Sequence, residues 1–67
     1  MNLDYAKAIK QLREKMIISQ VELAELLEVS FSTVNRWEIG LYSPTIKAKR
    51  KLAPLFEKYN IVLEEKK

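Results

Sequence analysis

The chain contains no cysteine and no histidine among its 67 residues. Disulfides are therefore excluded, together with thiolate and imidazole metal ligands, cysteine nucleophiles and the commonest general base of enzymes. Glycine occurs once and proline twice. So little punctuation, with no β-branched alternation as long as a strand, predicts helices joined by short turns. No apolar run approaches the roughly 18 residues of a membrane span, and Met1-Asn2-Leu3-Asp4 does not have the character of a secretion signal. The expectation is one soluble, cytoplasmic domain over residues 1–67, with no cofactor, no metal, no membrane and no evident small-molecule substrate. A chain this short buries only about 60 % of its surface, so packing alone must hold a small core.

What is present is charge and helical periodicity. The net charge of +3 is modest, but its distribution is uneven. Lys47, Lys49, Arg50 and Lys51 lie in a stretch without acids, while Glu22, Glu25 and Glu28 lie in one without bases. This is the segregation of a protein with one face toward nucleic acid, although two solvated helix faces of opposite sign produce it equally well.

A first helix is predicted over residues 3–15, capped by Asn2 or Asp4, with Leu3 or Tyr5, Ile9, Leu12 and Met16 as its buried stripe. Ser19 and Glu22 form a capping box that starts a second helix at Gln20, running to about Leu27 with Leu23, Ala24 and Leu27 inward. Ser30 caps a third over residues 31–39, with Val34 and Trp37 inward and Gly40 as a left-handed stop. Thr45 caps the last, whose apolar positions are Ile46, Ala48, Leu52, Leu55, Phe56 and Tyr59. Pro54 falls inside it and predicts a kink or a break near Ala53. Asn60 ends that helix, and the charged tail at residues 64–67 is expected to fray. The fold class is all-α, a compact bundle of four to five short helices.

Residues 19–39 carry the function. Two short helices separated by Glu28-Val29-Ser30 must cross steeply, and the small Ala24 permits close approach. The outer face of the second then presents Phe31, Ser32, Asn35 and Arg36, with Thr33 at its edge and no carboxylate. Such a helix fits the major groove of DNA, where Arg bonds guanine, Asn or Ser reads base edges and Phe lies against a thymine methyl.

The string Ser19-Gln20-x-x-Leu23-Ala24-x-x-Leu27-x-Val29-Ser30-x-Ser32-Thr33-Val34-x-Arg36-Trp37-Glu38-x-Gly40, followed by Pro44, resembles the Cro and lambda-repressor-type, or Xre-like, helix-turn-helix family. The resemblance covers about residues 6–56. It implies a lambda-repressor-like domain that regulates transcription by binding double-stranded DNA sequence-specifically, as a repressor and as a homodimer on a palindromic operator. It also implies roles for single residues. Phe31, Ser32, Thr33, Asn35 and Arg36 match base-contacting positions or their neighbours. Ser19 and Gln20 match phosphate-holding positions, with Gln20 also bracing the first residue of the reading helix, and Lys10, Tyr42, Ser43 and Lys47 are further backbone candidates. Arg13 and Glu38 match a structural ion pair. The chain departs from the pattern at Glu28, where glycine is common, so that either Glu28 takes a positive φ or the turn has another shape. Ile39 replaces a polar residue, and Phe31 a polar reader.

Two other readings bear on the same residues. An enzyme needs groups that move protons or stabilise charge, and Glu22, Glu25 and Glu28 look like surface acids at helical spacing. A protein-interaction module of antitoxin or coactivator type can use the same scaffold, with Phe31, Ile39, Leu41 and Tyr42 as its apolar tract. Leu55, Phe56, Tyr59, Ile61, Val62 and Leu63 form either a homodimer seam or the last part of the monomer core.

Overall fold

The computed structural model describes residues 3–65, which form four helices: α1 (Tyr5–Met16), α2 (Gln20–Leu27), α3 (Phe31–Glu38) and α4 (Ile46–Lys58). Each begins with a side-chain cap on its third amide. The Asp4 carboxylate accepts from Lys7, Ser19 from Glu22, Ser30 from Thr33 and Thr45 from Ala48. At α2 the box closes in both directions, since the Glu22 carboxylate accepts from the Ser19 amide at 2.9 Å. Asn2, the other candidate cap of α1, lies outside the described residues.

The helix ends share one device that a single glycine did not reveal. In each, the residue after the turn donates its amide five residues back: Ile18 to Arg13, Val29 to Ala24, Leu41 to Arg36 and Ile61 to Phe56. The residue before it donates three residues back, and that residue is left-handed in all four cases, at Ile17, Glu28, Gly40 and Asn60. This pair of bonds satisfies carbonyls that would otherwise be orphaned. Only Gly40 adopts the conformation without a Cβ penalty. At the other three ends the following residue, Ile18, Val29 or Ile61, packs on the core, and that burial holds a strained residue in place.

The core joins all four helices through Ala8, Ile9, Leu12, Leu23, Ala24, Leu27, Val34, Trp37, Ala48, Leu52, Phe56 and Ile61. α3 packs against both α1 and α2, so its inner side is held from two directions. The expected stripes hold apart from their ends: Leu3 is on the surface and Ile46 is 69 % exposed. Pro54 does not break α4, which runs through it to Lys58. Arg50, whose carbonyl loses its donor, and Pro54 itself are both exposed, so water can take that acceptor.

The two ends of the described segment meet. The Asp4 amide donates to the Glu64 carbonyl at 2.7 Å, Leu3 and Glu65 form an antiparallel bridge, and Lys7 pairs with the Glu64 carboxylate. Fraying therefore does not extend to Glu64 and Glu65, while Lys66 and Lys67 lie outside the described residues. The supposed dimer seam is also mostly spent, because Phe56 and Ile61 are buried in the monomer core and Leu55, Tyr59 and Leu63 pack against it. Val62, 73 % exposed, is the one member left on the surface.

Candidate nucleic-acid interface

The reading surface rests on a polar network beneath α3. Glu38 is the only acid on α3, and its side chain is 3 % exposed. Arg13 of α1 meets it with a fork, Nε donating to Oε2 at 2.8 Å and Nη2 to Oε1 at 3.1 Å. The remaining arm of the guanidinium donates to the Ile18 carbonyl at 3.3 Å, and the Gln20 amide of α2 donates to Glu38 Oε1 at 3.1 Å. One carboxylate thereby ties three helices together, and its hydrogen bonds push the Arg13 pKa further upward. The charge that would repel phosphate is turned inward and neutralised.

The outer side of α3 presents Phe31, Ser32 and Arg36 to solvent, with Asn35 and Thr33 half-buried at its margins. Thr33 is drawn into the cap, its hydroxyl 2.8 Å from that of Ser30, which also lies 3.2 Å from the Ser32 hydroxyl. Arg36 has no acid partner among the described residues, and its guanidinium lies 5.9 Å from the centre of the Tyr42 ring. Ser19 and the first amides of α2 lie at a helix N-terminus, where backbone donors and dipole favour an anion. Lys10 on α1, Lys47 on the first turn of α4, and Tyr42 and Ser43 in the α3–α4 loop are all exposed. The Tyr42 amide, however, already points at the Arg36 carbonyl at 3.5 Å. Gln20 departs from its expected role: it does not brace Phe31, but lies against Glu38 and Asn35 instead. Apolar Phe31 offers no hydrogen-bond partner, which leaves the buried carboxylate to capture the amide.

The turn between α2 and α3 keeps its shape despite Glu28, which takes φ 59°. Lys51 of α4 secures it from outside, donating to the Leu27 carbonyl at 3.1 Å and to the Glu28 carboxylate at 2.7 Å. This residue was not distinguishable from Lys47, Lys49 and Arg50 in the basic run, since only the approach of α4 to the turn singles it out. The bond from Lys51, then its charge, lowers the Glu28 pKa. A lowered carboxyl pKa means that the clamp contributes above the ordinary carboxylate range and is lost as pH falls through the lowered value. Glu28→Gly should raise the thermal midpoint at neutral pH by roughly 2 to 6 °C, because relief of the left-handed backbone outweighs an exposed ion pair. A fall in midpoint, measured by circular dichroism, would show that the clamp outweighs the strain.

Among the described residues, no acids gather into a group able to hold a metal ion, and no helix is long and apolar enough to cross a membrane. No curated protein and no solved structure matches the chain. A family model described as helix-turn-helix matches residues 9–57, which takes in α2, the turn, α3 and most of α1 and α4. With the lambda-repressor-like arrangement of its helices, the chain belongs to the Cro/C1-type, Xre-like helix-turn-helix family of DNA-binding regulators.

Proposed function

We propose that this protein is a sequence-specific transcriptional repressor that reads double-stranded DNA with α3 in the major groove. The observation that carries this reading is the sequestering of Glu38: the outer face of α3 is left with an apolar ring, a hydroxyl, an amide and a guanidinium that has no acid partner among the described residues, and no negative charge. Phe31, Ser32, Thr33, Asn35 and Arg36 are the base-reading set, with Arg36 suited to guanine. Ser19 and the backbone amide of Gln20 take one phosphate strand, and Lys10, Lys47 and the Tyr42-Ser43 loop the flanks. Occupying a promoter is sufficient to block polymerase, which makes repression the simplest outcome and places the protein inside the cell.

One module covers little DNA, so useful specificity calls for a homodimer on palindromic half-sites about one helical turn apart. Because Ile61 is 8 % exposed, a charge placed there would attack the monomer core before any dimer. Selection of bound sequences from random duplexes tests the whole reading. An enriched palindrome is expected; enrichment of nothing would instead favour a protein-binding module. Exposed Ile39, Leu41 and Tyr42, each at least 60 % accessible beside α3, would then be its surface.

Lys47 has no acid partner among the described residues. Replacing it with alanine should reduce the slope of log affinity against log salt by about one unit, as expected for the loss of one phosphate contact. An unchanged slope in a fluorescence-anisotropy titration would remove Lys47 from the interface.

A further inference from the structure

The network beneath α3 does more than hold the helix, because it has a direction. A carboxylate only accepts hydrogen bonds, so Glu38 obliges Gln20 to turn its NH2 group inward, where Nε2 lies 3.1 Å from Oε1. The same Nε2 stands 3.5 Å from Asn35 Oδ1. If the Asn35 amide were rotated by half a turn, two NH2 groups would face each other at that distance. Gln20 therefore selects the orientation in which Asn35 keeps its oxygen toward the protein and directs its two donors outward.

From this we infer that Asn35 is a specificity-determining residue that reads base acceptors, with Glu38 and Gln20 as the positioning residues that set its polarity. This rests on the proposed placement of α3 in the major groove. An asparagine free to use both ends of its amide pairs with adenine, accepting from N6 and donating to N7. One held with its donors outward matches guanine, whose N7 and O6 both accept, and loses the adenine N6 bond. A buried carboxylate with no access to DNA thus biases the base chosen at one position of the operator.

The test uses the full chain and the operator recovered by selection from random duplexes. Selection with Asn35→Ala identifies the base pair whose preference depends on Asn35. Competition binding with each base at that position should show the wild type favouring guanine over adenine by about tenfold. Asn35→Asp presents an outward acceptor while still receiving the Gln20 bond, so the preference should move to cytosine, whose N4 donates. Gln20→Met, checked for folding by its melting curve, releases the amide and should bring adenine level with guanine.

A wild-type preference for adenine would overturn the assignment. So would a guanine preference unchanged in Gln20→Met, or an Asn35→Asp variant that still favours guanine. If an operator is enriched but no position responds to Asn35, this inference fails while the repressor reading stands. If the wild type enriches no sequence, both fail.

Discussion

Replacing Arg13 with methionine is expected to lower the thermal midpoint by roughly 15 °C. The substitution keeps the aliphatic stem but removes both bonds of the fork, leaving the Glu38 carboxylate buried with the Gln20 amide as its remaining donor. Breaking a buried pair on one side costs about 3 to 5 kcal/mol. The Arg13 side chain is 24 % exposed, so water can partly replace it and the lower figure applies. For a domain of this size each kcal/mol shifts the midpoint by about 4 to 8 °C. Since small domains are stabilised by little more than about 5 kcal/mol, the variant should be partly unfolded near body temperature. The double variant Arg13→Met with Glu38→Met separates charge from packing: most of the loss should be recovered, because no carboxylate remains to be desolvated. Circular dichroism melts showing the double variant no better than the single one would assign the cost to shape instead.

Arg36→Ala should do the reverse, sparing the fold and flattening recognition. The guanidinium is exposed, has no acid partner among the described residues, and touches the protein through the Tyr42 ring, an interaction worth about 0.5 to 1 kcal/mol at such a site. The midpoint should therefore move by no more than about 8 °C. Discrimination between the selected operator and a scrambled duplex should fall by roughly 10- to 100-fold, the range for loss of one bidentate base contact. Arg36→Lys retains the charge without the fork, so it should restore affinity for both duplexes while recovering little of the discrimination. A large stability loss in Arg36→Ala, or unchanged discrimination, would make Arg36 a structural residue.

The two substitutions lie on opposite sides of α3, and the sequence separated those sides well. Val34 and Trp37 at three-residue spacing turn inward, which leaves Phe31, Ser32 and Arg36 outside. Helix starts were equally legible, since a Ser, Thr or Asp cap acts on an amide three residues away and needs no distant partner. Helix ends were legible where Gly40 and Asn60 tolerate a left-handed backbone and where Glu28 stands at a position that glycine commonly takes. Ile17 was not, because its branched side chain disfavours that conformation and the packing of Ile18 on the core holds it there. The hydrophobic residue directly after it was the available signal, and it is weak beside a glycine.

Local chemistry in the chain was thus sufficient for four capped helices and the inward and outward faces of α3, which depend on interactions within a few residues and on the periodicity of burial. Membership of a DNA-binding family was legible through the resemblance of the Ser19-to-Pro44 string to a known motif. Tertiary packing alone selected Lys51 from a run of similar cations, assigned Phe56 and Ile61 to the monomer core, and turned Gln20 from Phe31 toward Glu38 and Asn35. Each of those outcomes depends on which group from another helix arrives within hydrogen-bond or van der Waals reach, and no spacing along the chain encodes that distance.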